Sequence, residues 1–443
     1  MTAPNQGIGR RQFLGATGAA GLLIVRPQLV RGTAANSAIR LGLLGCGNRG
    51  TYVATSFANN TNVRVVALAD LFQDQLEKGK QHFDDLAAKK GYVGIDPKLM
   101  FRGPKAYQEL ANCPEIDLVH ISTPDIFHPQ HLEAAASTGK HIYCEKPVAV
   151  DVSGCKRVMH IGEQVRERFS LDIGFQLRSV PPYIELIRRI HAGGLGKIAC
   201  GAAAFHSTGV FYPPHPNASP LELRIRNFFW DRVIGGDIIV DQNIHLLDLC
   251  NWMLEAHPLK AIGTGGRKVR EDFGDCWDHF DVTYTYPRDV HVNLNSFQGG
   301  KALFDAGIRM FGSKGVAELH YEGIVGLYGD EPWEWEGSVG PTSPRRGHAN
   351  IYEQGTEAAA ERVAGVFHSA LEHADSEKEK AFVNSITSGK FHNQAATGAE
   401  SALTAILGRT AAYTGRETTW DELLASNQTY DPELEGIDLR EFE

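Results

Sequence analysis

The sequence contains no closely spaced pair of cysteines. Its cysteines are an odd number and stand far apart, at positions 46, 113, 144, 155, 200, 250 and 276. Disulfide-rich domains and cysteine-rich zinc sites depend on short, paired spacings. The spacing therefore argues against both, and it is compatible with folding in a reducing compartment.

Long basic runs and long hydrophobic runs are also missing. The chain has 44 Lys and Arg against 53 Asp and Glu, a formal net charge of −9, and no extended basic block. This composition argues against nucleic acid and anionic membrane surfaces as partners. The only candidate membrane segment is the weakly apolar run 14–25, which is shorter than the ~20 residues that a membrane-spanning helix needs.

This apolar run belongs to a predicted export leader. Arg10-Arg11-Gln12-Phe13-Leu14 introduces it, and small residues follow at Gly32-Thr33-Ala34-Ala35, which is typical of a twin-arginine signal with its cleavage site. We expect a signal peptide over 1–35, the Tat export machinery as a partner, and a periplasmic or other extracytoplasmic location. An uncleaved leader would instead anchor the protein.

At 443 residues the chain is long enough for two domains. Short runs rich in Val, Ile and Leu alternate with helical periods in the first part, which indicates a parallel sheet with helical crossovers. We expect a doubly wound α/β domain of the Rossmann type over 36–176. Its predicted strands are Ile39–Leu44, Val63–Ala69, Leu118–Ser122, His141–Cys144 and Leu171–Phe175.

The pattern changes in the second part of the chain. Strict alternation at 279–284 and 290–295 predicts an α+β domain over 177–424 with a large, mostly antiparallel open sheet. Helices are expected at 377–386 and 400–414, a long loop around 330–348, and a tail over 425–443. One open face of such a sheet favours subunit packing, so we expect a homodimer or a homotetramer.

A dinucleotide-binding fingerprint follows the first predicted strand. Gly45, Gly47 and Gly50 fit G-x-G-x-x-G and precede a predicted helix, where free N–H groups favour phosphate. Asp70 ends the second strand, near the position at which an acid accepts hydrogen bonds from the ribose. A carboxylate there repels a 2′-phosphate, so NAD is favoured over NADP.

Three further runs complete a pattern. They are Ser122-Thr123-Pro124 with His128, Glu145-Lys146-Pro147, and Asp241 with His245. With these motifs, in this order, the chain resembles the glucose–fructose oxidoreductase / inositol dehydrogenase family (Gfo/Idh/MocA) from about Ile39 to Leu424. The motifs are specific to the family but not to one substrate.

The resemblance implies roles for individual residues. It places Lys146 near the nicotinamide, where an ammonium can hydrogen-bond the reacting hydroxyl. The predicted cofactor-binding residues are Gly45, Cys46, Gly47, Asn48, Arg49, Gly50, Asp70, Ser122, Thr123, Pro124, His128, Glu145, Lys146 and Gln176. The predicted substrate-binding residues are Lys146, Arg178, Trp230, Asp241, Asn243 and His245; for Gln176, Arg178 and Trp230 ordinary packing is an equal alternative.

Asp241 and His245 are four residues apart, which places them on one face if the segment is helical. The resemblance implies that His245 is the general base and that Asp241 orients it or binds a second hydroxyl. Asn243 stands where the family usually has glycine, so it either changes the local backbone or supplies a substrate hydrogen bond. A helix-start Asp with a core His is one alternative. A metal site is another, but no third ligand stands out nearby.

These motifs predict an NAD-dependent oxidoreductase acting on a secondary alcohol of a sugar, a glycoside or a cyclitol. Free NAD is not expected outside the cytoplasm, so we expect the cofactor to be held tightly and recycled by a second substrate, within a redox-neutral cycle, or by an external acceptor. The alternatives are a redox-neutral NAD-dependent glycoside hydrolase of the same superfamily and a catalytically silent sugar-binding homologue. The sequence does not identify the substrate or the carbon that is oxidised.

Overall fold

The computed structural model describes residues 38–338, 351–353 and 371–433, except positions 209, 211, 213, 322 and 372. The predicted signal peptide and the end of the predicted tail lie outside these residues. Within the described ranges, no helix combines the length and apolar character that crossing a lipid bilayer requires.

The first part of the chain forms a parallel sheet with helical crossovers. Its strands are β1 (Ile39–Leu44), β2 (Val63–Asp70), β3 (Met100–Arg102), β4 (Leu118–Ile121), β5 (His141–Cys144) and β6 (Leu171–Ile173). Its helices are α1 (Asn48–Asn60), α2 (Gln73–Lys89), α3 (Ala106–Asn112), α4 (His128–Ser137) and α5 (Val152–Val165). The strand order is β3-β2-β1-β4-β5-β6, and every pair is parallel. The predicted Rossmann sheet is confirmed.

The strand order reverses between β1 and β4. The segments that follow β1 and β4 cross to opposite sides of the sheet, so a crevice opens between them at the carboxyl ends of these strands. Doubly wound sheets bind ligands at this point. Both strands are buried almost throughout, because their Leu, Val and Ile side chains are covered by helices on both faces. The glycine-rich turn and the Thr-Pro run therefore each follow directly from a buried strand, which fixes their position.

The second part of the chain contains a nine-stranded sheet, a separate pair of strands and the helices that pack around them. Its helices are α6 (Pro181–His191), α7 (Pro220–Arg226), α8 (Arg232–Gly235), α9 (Ile238–Asp241), α10 (Ile244–Leu254), α11 (Ala374–Ser388), α12 (Ala395–Thr414) and α13 (Trp420–Ser426). Its strands are β7 (Ile198–Ser207), β8 (Lys260–Gly266), β9 (His279–Tyr286), β10 (Val290–Gln298), β11 (Lys301–Leu303), β12 (Asp305–Gly312), β13 (Gly315–His320), β14 (Val325–Gly329), β15 (Trp333–Glu334), β16 (Ile351–Glu353) and β17 (Thr418–Thr419).

The order of this sheet is β15-β14-β13-β12-β7-β10-β9-β8-β17, with β11 and β16 paired separately. Only β7 and β10 run parallel among its described strand pairs, so the predicted, mostly antiparallel sheet is confirmed. In β9, Phe280, Val282 and Tyr284 are buried while Asp281 is exposed. The buried face packs against α12, as the period of two predicts.

Two details differ from the expectations. The predicted loop at 330–348 contains the short strand β15 before its remainder leaves the described residues. Helix α11 packs back on the first sheet, where Lys378 pairs with Asp172 of β6 and Phe382 contacts the Phe57 and Tyr143 rings. These distant contacts have no local sequence signal. The domain boundary at 176 stays a prediction.

Candidate active site

The glycine-rich turn joins β1 to α1 at the carboxyl edge of the first sheet. Gly45 has a φ of 95°, and a Cβ there would overlap the carbonyl oxygen of Ser122. A Cβ at Gly50 would overlap the carbonyl oxygen of Gly45. At Gly47 a Cβ would meet no atom of the described residues within 4 Å. The first and third glycines thus serve the protein's own packing, whereas Gly47 borders space in which a ligand's phosphates can approach the backbone.

The N-terminus of α1 faces the same space. Gly47 is the N-cap, its own residue type offers no capping side chain, and no cap hydrogen bond is formed there among the residues that the structure describes; Asn48 at the first position of the helix is exposed. Uncapped N–H groups at a helix start carry partial positive charge and favour an anion. The turn fits a pyrophosphate.

Asp70 closes the turn from the end of β2. Its carboxylate accepts hydrogen bonds from the backbone N–H groups of Cys46, at 2.7 Å, and of Phe72, at 2.9 Å. Burial raises the pKa of Asp70 to about 6. Each carboxylate oxygen has a further lone pair, so Asp70 can fix the turn and still accept from a ribose hydroxyl.

Arg49 joins the turn to two buried carboxylates. Its guanidinium lies 3.2 Å from Oε1 of Glu145 and donates a 2.8 Å hydrogen bond to Asp375 of α11. Burial raises the pKa of Glu145, and the nearby Arg49 charge opposes this rise. These contacts support the turn; the predicted cofactor-binding roles of Arg49 and Glu145 stay predictions.

The Thr-Pro run after β4 is tied to the segment around Pro147. His128 is buried, with Nδ1 2.6 Å from the carbonyl oxygen of Pro147 and Nε2 2.7 Å from that of Thr123. The Thr123 hydroxyl lies 2.9 Å from Nδ1 of His131. Both ring nitrogens of His128 thus face the protein's own carbonyls, which gives the ring a supporting role here; its predicted role in cofactor binding stays a prediction. Ser122 and Pro124 contribute backbone at the crevice.

Lys146 follows β5 and reaches the segment that holds Asp241. Its Nζ donates a 2.7 Å hydrogen bond to the backbone carbonyl of Asp241 and lies 3.6 Å from Oδ1 of the same residue. The two side chains are 12% and 8% exposed, so their attraction is little screened by water. The peptide bond between Lys146 and Pro147 is cis.

His245 lies in the first turn of α10, near Lys146. Burial, and then the charges of Lys146 and Arg49, hold its pKa well below the usual value, so the imidazole is neutral at neutral pH and can accept a proton. Nδ1 is buried and has no hydrogen-bond partner among the described residues, and the Phe175 ring packs edge-on against the imidazole. The structure therefore brings an ammonium and a neutral imidazole to one site.

The single helix expected across Asp241 and His245 is interrupted. Helix α9 ends at Asp241 and α10 begins at Ile244, so the two side chains do not share one continuous face. The Asp241 carboxylate accepts a 2.9 Å hydrogen bond from Gln242 and faces Lys146. The expectation that Asp241 orients the imidazole is therefore corrected, because Gln242 and Lys146 engage its carboxylate instead.

Asn243 occupies the break between the two helices. Its φ of −71° and ψ of −15° are ordinary for any residue, so the position does not need the conformational freedom of glycine. Both polar atoms of its side chain are buried without a hydrogen-bond partner in the described part of the chain. Of the two roles predicted for Asn243, a changed backbone or a hydrogen bond to the substrate, these observations favour the second. No three His, Cys, Asp or Glu side chains of the described residues are grouped as a metal ion would require.

Gln176 and Arg178 begin the chain after β6 and have different environments. Oε1 of Gln176 is buried without a partner among the described residues, so its amide is available to a ligand. Arg178 donates from Nε and Nη2 to the buried Asp248 of α10, at 2.8 and 2.9 Å, and stacks over Trp252. These contacts favour the packing alternative for Arg178, since the guanidinium anchors the helix that carries His245; its substrate role stays a prediction.

The Trp230 side chain is enclosed by other parts of the protein. Its ring is buried, its indole N–H donates to the carbonyl of Val210 at 3.1 Å, and the Arg270 guanidinium lies 3.4 Å from the ring centroid. One face and the polar atom are thereby occupied. These contacts favour the packing alternative for Trp230, and its substrate role stays a prediction.

Sequence reasoning missed several residues that shape the site. The buried Arg409 of α12 donates 2.8 Å hydrogen bonds to the carbonyls of Gly236 and Val150. It thereby joins the segment before Asp241 to the segment after Lys146. Asp125, inside the Thr-Pro run, lies close to the Asp241 carboxyl. The acidic residue next to Thr-Pro was a usable signal, whereas nothing local marks Arg409.

Two family models match the chain. The model described as an oxidoreductase family with an NAD-binding Rossmann fold matches residues 39–172. The model described as the GFO/IDH/MocA C-terminal domain matches residues 183–318. The first covers the parallel sheet with the turn, Asp70 and Lys146, and the second covers Asp241 and His245.

Known proteins resemble the chain over different extents. Inositol 2-dehydrogenase of Rhizobium meliloti is 25% identical over 65% of this chain and 78% of the relative. A glycosyl hydrolase family 109 protein of Phocaeicola vulgatus is 31% identical, but over 29% of this chain and 22% of the relative. The structure of scyllo-inositol dehydrogenase from Lactobacillus casei, with bound NAD(H) and scyllo-inositol, is similar with a TM-score of 0.63 at 18% identity, over 87% of this chain and 99% of that one.

Proposed function

The chain belongs to the Gfo/Idh/MocA family of oxidoreductases, and from this premise we propose that it oxidises a secondary alcohol of a cyclitol, sugar or glycoside with a tightly held NAD. NAD binding and oxidoreductase chemistry at a CH–OH group follow from the family. The substrate class and the tight retention of the cofactor are the proposal. Relatives named as inositol dehydrogenases make a cyclitol the first candidate.

One observation carries the proposal. Lys146 contacts Asp241, four residues before His245, and its charge, after burial, helps to lower the pKa of the His245 imidazole; both side chains are largely buried. Alcohol oxidation needs a donor to the hydroxyl oxygen and an acceptor for its proton at one carbon. An ammonium next to an unprotonated imidazole supplies both groups.

The residues at the turn fit NAD. Gly47 leaves room at the backbone for the pyrophosphate, the uncapped start of α1 offers N–H groups, and Asp70 offers carboxylate oxygens to the ribose. The buried amide oxygen of Gln176 has no hydrogen-bond partner in the described part of the chain, which suits the nicotinamide carboxamide. Bound NAD supplies the acceptor for the hydride that leaves the carbinol carbon.

The chain's own groups then handle the proton. Lys146 donates a hydrogen bond to the hydroxyl oxygen and stabilises negative charge as it develops there. His245 accepts the hydroxyl proton. Asn243 offers a buried amide to a neighbouring hydroxyl, and a polyol presents such a hydroxyl next to the reacting carbon.

Helix α7 supports tight retention of the cofactor. Its Arg226 donates a 2.8 Å hydrogen bond to Asp74 and lies 3.8 Å from the centroid of the Phe72 ring. Phe72 and Asp74 lie two and four residues after Asp70, at the part of the crevice that is expected to hold the adenosine. Ile225 of α7 packs in one apolar cluster with Phe72. These contacts of Arg226 and Ile225, called the latch below, join helix α7 to the loop that follows Asp70, next to the expected position of the ribose.

The test starts with the protein as purified. Denaturation should release NAD, identified by mass spectrometry, and one or more cyclitols or sugars from a panel should raise the nicotinamide absorbance of the holoprotein. Lys146→Met serves as the inactive control. A protein that carries no nucleotide and shows no rise in melting temperature with added NAD would contradict the proposal.

A redox-neutral glycoside hydrolase is the second candidate, favoured by the 31% identity to a glycosyl hydrolase family 109 protein. It would release the free sugar from an aryl glycoside and exchange a ring proton with deuterated solvent. An oxidoreductase would instead accumulate a keto product. Saccharide binding without either change would indicate a silent homologue.

Export and assembly are also proposals. Arg10 and Arg11 support Tat export to the periplasm, with or without cleavage of the leader; replacing both by Lys should retain the protein in the cytoplasm.

A homodimer or homotetramer is supported by the face of the large sheet that carries the exposed Asp281, Asn293 and Asn295. Light scattering coupled to gel filtration measures the mass.

A further inference from the structure

The chain that follows α13 packs along the start of α5. We call residues 427–430 the strap. The carbonyl of Gln428 accepts a 3.0 Å hydrogen bond from the backbone N–H of Ser153. The backbone N–H of Tyr430 donates a 2.7 Å hydrogen bond to the carboxylate of Asp151, whose other oxygen caps the first turn of α5. These bonds fix the backbone that carries the Tyr430 ring.

The ring of Tyr430 covers the guanidinium of Arg409. The central carbon of the guanidinium lies 4.9 Å from the ring centroid, and Arg409 is only 2% exposed. An aromatic face attracts a guanidinium at this distance, and the attraction is stronger where water is excluded. The strap therefore supplies one side of the environment of a buried arginine that belongs to α12.

Arg409 joins two segments of the active site. Its Nη1 and Nη2 donate 2.8 Å hydrogen bonds to the carbonyls of Gly236 and Val150. A Cβ at Gly236 would lie 3.1 Å from Cγ1 of Val150, so the two segments are in contact. Val150 follows Lys146 by four residues. Gly236 precedes Asp241 by five. The two segments are thus joined twice, by Arg409 and by the hydrogen bond from Lys146 to the Asp241 carbonyl.

We infer that Tyr430 is a positioning residue, which holds Arg409 in its bridge between these two segments. Without the ring, water reaches one face of the guanidinium and competes with the two carbonyls for its N–H groups. The bridge then loosens, and the hydrogen bond from Lys146 to Asp241 must hold the segments alone. The strap is thereby part of the scaffold of the active site.

The consequence for catalysis rests on the proposed function. The ammonium of Lys146 must aim at the substrate hydroxyl, and it is placed by its contact with Asp241. A small displacement of a catalytic group lowers turnover strongly, even when its cause lies away from the reacting atoms. Loss of the Tyr430 ring should therefore lower kcat without removing a group that binds substrate or NAD.

The bridge can be tested without any activity, by hydrogen–deuterium exchange of the amides after Gly236. The N–H groups of Val240 and Asp241 donate to the carbonyl of Asp237, at 3.0 and 2.9 Å, and their exchange reports local opening of this segment. Exchange there should be faster in Tyr430→Ala than in the wild type. Tyr430→Phe keeps the ring and should restore slow exchange. Unchanged exchange in Tyr430→Ala, or equally fast exchange in both variants, would overturn the inference.

Tyr92→Ala is the matched control. The Tyr92 ring lies 5.1 Å from the Arg64 guanidinium, so this variant loses a contact of the same kind, beside β2. It should leave the exchange of residues 237–241 unchanged. The same acceleration in Tyr92→Ala as in Tyr430→Ala would show that a general loss of stability is the cause, and it would overturn the positioning role.

Kinetics on the holoprotein test the consequence for turnover. We expect Tyr430→Ala to lower kcat about tenfold, the effect of one cation–π contact, with KM and NAD affinity unchanged. Tyr430→Phe and Tyr92→Ala should keep the wild-type kcat. A raised KM at unchanged kcat, or an equal loss of kcat in Tyr430→Phe, would overturn the positioning role. If the wild type oxidises no alcohol, the proposed function fails, and the exchange measurements still decide whether Tyr430 holds the bridge.

Discussion

Lys146 and Asp241 are joined by a 2.7 Å hydrogen bond from the Lys146 ammonium to the Asp241 backbone carbonyl. Lys146 stands on the parallel sheet, and Asp241 ends a helix of the second part of the chain. The contact therefore bridges two pieces of the chain 95 residues apart. The Lys146 charge also acts on His245, whose pKa it helps to lower, and our proposal is that both groups serve one substrate carbon.

Replacing either of these groups should abolish most turnover. Lys146→Met and His245→Gln remove the donor and the proton acceptor, so we expect kcat to fall about 10²- to 10⁴-fold with NAD still bound. Lys140→Met is the matched control, because its Nζ also donates to a backbone carbonyl, that of Ile116 at 2.9 Å, but at the amino end of β5. Steady-state kinetics on the holoprotein measure the effect, and near-normal turnover would remove that residue from the mechanism.

The three glycines should respond differently to alanine. At Gly47 the backbone is permissive and a Cβ meets no protein atom, so Gly47→Ala should leave the melting temperature of the apoprotein unchanged. It should weaken NAD binding about 10- to 100-fold, because the methyl group intrudes on the ligand. Gly45→Ala and Gly50→Ala should destabilise the fold by about 1–3 kcal/mol through overlap with backbone carbonyls. Calorimetry of apoprotein and holoprotein separates the two outcomes; a destabilised Gly47→Ala apoprotein would contradict the assignment.

NAD affinity should depend on the charge of Asp70. The ionised carboxylate accepts from the ribose hydroxyls, and it exists above the Asp70 pKa of about 6. As the pH falls below about 6, a proton must leave before NAD binds, so the affinity should fall by up to about tenfold per pH unit. Titration calorimetry in buffers of different ionisation enthalpy should detect the released proton. Asp70→Asn should bind weakly at every pH and release none, and an affinity of the wild type that is constant from pH 5 to 7 would refute the role.

Arg178 should matter for stability more than for substrate binding. Its partner Asp248 is only 1% exposed, so removing the arginine leaves a buried carboxylate without its counter-charge, although Ser401 still donates a hydrogen bond to it at 2.7 Å. We expect Arg178→Met to cost about 3–5 kcal/mol of unfolding free energy, and the double variant with Asp248→Leu to recover part of it. A normal denaturation midpoint with a raised KM would instead restore the substrate role predicted from the sequence.

The fold was predictable because its signals are local. Runs such as Ile39–Leu44 and His141–Cys144 have the observed strand bounds, and the spacing of the glycines located the turn. The break between Asp241 and Ile244 was not predictable, because Gln242 and Asn243 carry no helix-breaking signal. For Arg178 and Trp230 the sequence left ligand binding and packing as equal alternatives, because their partners, Asp248 and Arg270, are distant in the chain. Sequence patterns thus identified the chemistry of the site, but the division between reacting and supporting residues depends on tertiary contacts.

The last prediction concerns how the cofactor is retained. Arg226 and Asp74 are 152 residues apart in the chain, and their bond, together with the stacking on Phe72, must break before helix α7 can leave the loop that follows Asp70. Arg226→Leu should therefore speed the release of NAD about tenfold, the order expected for a partly buried cation–π contact and ion pair. Arg224→Leu is the matched control, because Arg224 lies on the same helix and pairs with Asp231, away from that loop. Release can be followed by trapping free NAD with an auxiliary dehydrogenase. Equal release rates in the two variants would show that the latch does not hold the cofactor, and rapid release from the wild type would end the case for retention, since an enzyme without a supply of free NAD cannot turn over once its cofactor has left.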